Sequence, residues 1–177
     1  MAANASADNA AHVSTVVKPP NGLGEIRATF GDIYRYVGAD GTLDLQWHTE
    51  YVTRLVVPFP MVLCWDHSTQ VSKIACHKKM ADVFSHVFEQ VRANGLEARV
   101  RSFGGCFAFR PKRTGNKLST HCWGIAIDLN PETNGLGTEG DMDPAVVEIF
   151  RQAGFKWGGD WEASGRDPMH FQYCTGY

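Results

Sequence analysis

Ser119-Thr-His-Cys-Trp-Gly-Ile-Ala-Ile-Asp-Leu-Asn130 is the stretch on which the fold of this chain turns. It reads as a turn feeding a short strand. Ile125, Ile127 and Leu129 alternate onto one face, which belongs against a core. Gly124, Ala126 and Asp128 fall on the other. That second face carries a carboxylate preceded by two of the smallest side chains, which leaves clearance above the strand. His121 stands at the mouth of the same element.

Working outward, Asp167-Pro-Met-His-Phe-Gln172 offers a second carboxylate and a second histidine near the C-terminus. Met169, Phe171 and Tyr173 alternate against His170 and Gln172, the pattern of a last strand. A catalytic zinc ion takes three protein ligands from His and Asp/Glu and keeps a fourth position open. His121, Asp128 and His170 supply that set if the two strands meet. Asp167, three residues before His170 and stiffened by Pro168, is the favoured general base/acid, with Glu162 and Asp160 as competitors. Arg110 follows a Gly-Gly turn toward the same region and is the candidate partner for a developing oxyanion. The alternative is structural: Asp128 caps a turn with Asn130, and His170 packs on Trp161.

Composition narrows the function. At 177 residues, 44% hydrophobic, the chain suits one domain with a real core. A formal charge of -2 provides no basic stripe, so no nucleic-acid partner is expected. No apolar run approaches the roughly 18–20 residues of a membrane helix, so no membrane insertion is expected. The first residues carry neither a positive n-region nor an apolar h-region, so cytoplasmic synthesis without a signal peptide is expected. The five cysteines form no CxxC pair and read as free thiols. Cys122 and Cys174 lie near the two histidines, and a thiolate ligand is a lesser alternative.

Along the chain, residues 1–20 read as a flexible arm and 21–177 as the catalytic domain, without repeats. Gly24 to Val37 has helical spacing, interrupted by Gly31. Val56 to Leu63 holds two prolines and is expected to be an edge or loop rather than a central strand. Ser72 to Ala93 reads as the clearest helix, with Ile74, His77, Ala81, Phe84, Phe88 and Val91 on one face. His77 in that stripe is expected to be a hydrogen-bonded core residue. Leu96 to Phe103 and Cys106 to Phe109 are expected strands, Pro111 to Leu118 a basic loop, and Pro131 to Asp143 a longer loop. Asp143-Pro144 opens a helix with a cap and an N1 proline. Phe155 to Trp161 is aromatic and glycine-rich, and Trp157 and Trp161 are expected to wall a cleft.

These strings together resemble the signature of the VanY/D-alanyl-D-alanine carboxypeptidase family of zinc peptidases. The resemblance rests on Gly104-Gly105-Cys106, Arg110, Ser119-x-His121-x-x-Gly124-x-Ala126-x-Asp128, Trp157 to Trp161, and Asp167-Pro-Met-His170-Phe171. Gly22 to Asp32 also looks like the branch often encoded by phages, and the likeness runs over roughly residues 20 to 175. It implies Zn2+ held by His121, Asp128 and His170, Asp167 as base/acid, and Arg110 as the oxyanion or substrate-carboxylate partner. The base is Asp where several relatives use Glu, and the Arg110-to-His121 connection is shorter than in other branches. The implied fold is a small α+β domain, hedgehog-like, with helices on an antiparallel sheet whose open face carries the zinc. The implied function is a peptidoglycan peptidase, an L-alanyl-D-glutamate endopeptidase serving as a phage endolysin. It would act as a monomer on stem peptides in the periplasm or cell wall after release. A D-Ala-D-Ala carboxypeptidase or dipeptidase, and a non-catalytic metal- or wall-binding module, are the alternatives.

Overall fold

The computed structural model describes residues 17–112 and 117–177. The expected arm therefore lies outside the described residues for 1–16, as does the middle of the basic loop, 113–116. Residues 17–20 run beside the C-terminal segment: the Tyr173 hydroxyl donates to the Val17 carbonyl, and the Thr175 amide donates to Pro20 at 2.9 Å.

Helices α1 (Gly22–Phe30) and α2 (Leu45–Tyr51) precede a hairpin of β1 (Val52–Leu63) and β2 (Asp66–His77). Helix α3 (Ala81–Ala93) leads to β3 (Ser102–Gly105). Strand β4 (Ala126–Leu129), α4 (Pro144–Gln152), β5 (Lys156–Trp157) and β6 (His170–Gln172) follow. The strands form one sheet in the order β2-β1-β3-β4-β6-β5. The α+β class is as expected, but the sheet is mixed, because β1 and β3 run parallel. The hairpin returns the chain to the start of β1, and α3 then travels back along β1 before β3 pairs with its far end at Val62 and Leu63. A helical crossover of this kind delivers a parallel neighbour. Among the described residues no helix is long and apolar enough to cross a membrane.

Several local expectations give way to packing. Ser72 to His77 is strand, not helix: His77 pairs with Val52, Cys76 with Thr53 and Ile74 with Leu55. The helical stripe continued into this segment by coincidence of spacing, and β1 outcompetes it by pairing with Lys73 through His77 without a break. β1 is not an edge, since it lies between β2 and β3. Its prolines, Pro58 and Pro60, fall in the gap between Val56 and Met61 where pairing with β2 lapses, so no ladder donor is missing. Glu97–Arg99 forms a 3-10 turn, which delays β3 to Ser102. Cys106 to Phe109 is irregular, its amides spent elsewhere: Phe107 donates to Ala75 and Ala108 to His121, both at 3.1 Å. The helix expected over 24–37 breaks at Gly31 (φ 93) and resumes as a 3-10 turn, Ile33–Tyr36. Helix α4 forms as expected, with the Asp143 carboxylate accepting from the Ala145 amide at 2.9 Å.

The main core lies between the sheet and α3 and α4. Phe84, Phe88, Val147 and Phe150 are buried with Ile127, Leu129 and Phe171, and Phe150 stacks on Phe171 at 4.2 Å. Alternation then sends Asp128, His170 and Gln172 to the opposite face.

His77 is a satisfied core histidine. Its Nε2 donates to the Phe30 carbonyl at 3.0 Å and its Nδ1 accepts from the Lys79 amide at 3.0 Å. Burial pushes its imidazole down from 6.5 to about 4. The unfolded chain therefore binds the extra proton between those values and the folded chain does not. Stability should fall as pH drops from about 6.5 toward 4, by up to roughly 3 kcal/mol. Urea melts at pH 7 and 4.5 should show this slope flattened in His77→Gln.

Candidate metal centre

The pairing of β4 with β6 sets Asp128 directly opposite His170. Facing side chains on one side of an antiparallel pair start about 5 Å apart at Cβ. His121 arrives from a 3-10 turn, Thr120–Trp123, whose first amides are capped by Ser119: its Oγ accepts from the His121 N–H at 3.3 Å. Three donor atoms converge. Asp128 Oδ1 is 2.9 Å from His170 Nδ1 and 3.2 Å from His121 Nε2, and the two nitrogens are 3.2 Å apart. All three residues are buried, at 2%, 7% and 6% exposure for His121, Asp128 and His170.

The outer nitrogens decide which atoms point inward as lone pairs. His121 Nδ1 donates to the Cys106 carbonyl at 2.7 Å, which leaves Nε2 unprotonated in the neutral ring. His170 Nε2 donates to Gln172 Oε1 at 3.2 Å, which leaves Nδ1. Two imidazole lone pairs and a carboxylate oxygen thus crowd one buried point. A cation between them removes that repulsion, and the set matches the three-ligand pattern of catalytic zinc. Among the described residues this His121, Asp128, His170 group is a candidate metal cluster, and no thiol joins it. The five cysteines are free. Cys122 instead holds Arg110, its Sγ donating to the Arg110 carbonyl at 3.0 Å and accepting from its amide at 3.2 Å.

Above the donors opens a cleft lined by Arg110, Lys112, Asp128, Trp161, Asp167 and His170 among others. Asp167 is set by its backbone: its amide donates to Gly158 and its carbonyl accepts from His170, both at 2.9 Å. The competing acids stand elsewhere. Asp160 pairs with Arg151 at 2.7 and 2.8 Å, and neither it nor Glu162 lines the cleft. The tryptophans divide. Trp161 walls the cleft, its ring 5.5 Å from that of His170. Trp157 does not line it; its Nε1 donates to the Pro168 carbonyl at 2.7 Å and braces the Asp167 segment from behind.

The clearance read into Gly124 and Ala126 belongs elsewhere. Gly124 is left-handed (φ 66), and a Cβ there would stand 2.6 Å from the His77 amide nitrogen, so it serves the packing of the turn on β2. Ala126 is fully buried. The glycine that makes room at the site is Gly104, where a Cβ would lie 2.9 Å from Asp128 Cβ.

Residues 112–173 match the family model described as D-alanyl-D-alanine carboxypeptidase. The matched segment is about a third of the chain and holds His121, Asp128, Asp167 and His170; Arg110 lies just before it. No solved structure matches the chain.

Gln172 and Thr120 are the side chains behind His170 that sequence reasoning missed. Gln172 orients His170, and Thr120 Oγ1 stands 3.4 Å from His170 Nε2 and 3.5 Å from Gln172 Oε1. A signal existed for Gln172: two residues after His170 on a strand, it must share that face. Gln172→Ala should weaken zinc binding about 10- to 100-fold, read by competition with a chromogenic chelator.

Proposed function

We propose that this chain is a zinc peptidase that cuts peptidoglycan stem peptides, with 21–177 as its catalytic domain. Within that class we favour an L-alanyl-D-glutamate endopeptidase serving as a phage endolysin, made in the host cytoplasm and acting on the wall after release. One observation carries the zinc assignment: three inward lone pairs 2.9–3.2 Å apart, each imidazole locked from behind, at the floor of an open cleft. The family match supports a peptidase acting on this class of peptide.

His121, Asp128 and His170 would hold the ion, which when bound supplies Lewis acidity that polarises a carbonyl and acidifies water. Asp167, on the cleft wall, takes a proton from the attacking water as the C–O bond forms. It returns that proton to the amine as the C–N bond breaks. The Arg110 guanidinium offers its N–H groups to the carbonyl oxygen as negative charge develops there. Trp161 shields His170 and gives the substrate backbone an apolar wall.

The description of the matched family favours a second bond, the terminal D-Ala-D-Ala. Mass spectrometry of muropeptides digested with and without a chelator separates the two. New L-Ala and D-Glu ends mark the endopeptidase; loss of a single D-Ala marks the carboxypeptidase. Cleavage that persists with chelator present sinks the zinc assignment. Binding of peptidoglycan without any cut would make the chain a wall-binding module.

A further inference from the structure

Lys112 lines the same cleft as Arg110, Asp167 and His170. Its place is set by a short ladder: the Lys112 amide donates to the Lys117 carbonyl at 2.8 Å, and Pro111 bridges to Leu118. Its ammonium stands 4.2 Å over the Tyr177 ring. Tyr177 is anchored in turn, its hydroxyl donating to the Leu118 carbonyl at 2.8 Å and its ring edge-on to Trp123 at 6.0 Å. Burial pulls the Lys112 ammonium below its ordinary pKa, so the charge is partly stripped of water. Among the described residues neither Lys112 nor Arg110 has a carboxylate within ion-pair distance.

The other charges among the described residues lining the cleft have work in the proposed reaction. Asp128 belongs to the donor triangle, Asp167 moves the proton, and Arg110 faces the reacting carbonyl. Lys112 is left over. An ordered, half-desolvated cation on a tyrosine face, held on the wall of a cleft, suits a fixed anion on the substrate.

We propose that Lys112 is a specificity residue that takes a substrate carboxylate lying off the scissile bond, so that the cleft selects peptides with a free carboxylate over their carboxamides. This rests on the peptidase function proposed above. A carboxamide meets the ammonium with a weaker acceptor and no countercharge. The discrimination should be about tenfold or more.

The test uses two synthetic stem-type peptides that differ only by carboxylate or carboxamide at the residue beside the scissile bond. Cleavage kinetics are measured on the zinc-loaded full chain, and binding on Asp167→Asn, with and without a change at Lys112. The expected result is a lower KM and Kd for the carboxylate peptide with kcat alike. Lys112→Met should erase that preference, Lys112→Arg keep it and Lys112→Glu reverse it, each with a thermal melt near wild type. Equal use of the two peptides by the unmodified chain overturns the proposal and leaves the peptidase function standing. So does a preference that survives both Lys112→Met and Lys112→Glu. If neither peptide is cut, yet the binding preference is present and follows Lys112, the specificity role holds and the peptidase function falls.

Discussion

Asp167→Asn is expected to lower kcat by about 10²–10⁴-fold while zinc stays at full stoichiometry and peptide still binds. Among the described residues, Asp167 is the cleft-lining carboxylate outside the donor triangle. Its backbone is pinned on both sides, by Gly158 and by the amide of His170. An amide cannot take the water's proton, so the loss should fall on the chemical step and leave binding intact. Asn is nearly isosteric, which protects the brace between Trp157 and Pro168. Single-turnover cleavage and metal analysis on the same sample check both halves. Wild-type turnover in Asp167→Asn would hand the base to another group. Zinc loss would make Asp167 a ligand or its support.

Asp128→Ala should abolish zinc binding and activity together. The carboxylate is the one negative charge in the triangle, and its Oδ1 reaches both imidazoles. Two neutral rings alone leave a divalent cation undercoordinated and without a countercharge. The fold should survive, because His121 keeps Cys106 and His170 keeps Gln172 as outer partners. A ligand that binds only the folded state raises stability by about 2.7 kcal/mol at a hundred times its Kd. A chelator should therefore lower the Tm of the wild type and leave Asp128→Ala unmoved. A variant that still melts lower with chelator would place the metal elsewhere.

Where the sequence was legible, the physics is local. The Asp143-Pro144 start of α4 depends on a cap and a fixed φ within three residues, and it formed as read. The alternation in β4 and β6 depends on one buried face, and it put Asp128 and His170 on the side away from Phe150. His77 is the core histidine expected, although on a strand and not in the helical stripe read for it; its partners are the Phe30 carbonyl and the Lys79 amide. Where reading failed, a distant segment decided. Ser72 to His77 carries helical spacing yet became a strand, since β1 supplied its ladder. The prolines of β1 looked like edge markers, and a register shift absorbed them in the sheet's interior. Gly124 looked like substrate clearance, and its neighbour turned out to be the His77 backbone.

By itself, then, the sequence determined which side chains have the chemistry to hold a metal and which strand faces they occupy. Periodicity and residue type act over a few positions, and both can be read along a line. Tertiary structure alone decided that Asp128 pairs with His170 rather than with a residue one step away. It likewise decided that Cys106 and Gln172 turn the two imidazoles inward, and that Lys112 shares a wall with Arg110. Register and cross-chain approach are set by the whole core settling at once, with α3 and α4 filling one face of the sheet while the other is left for the cleft.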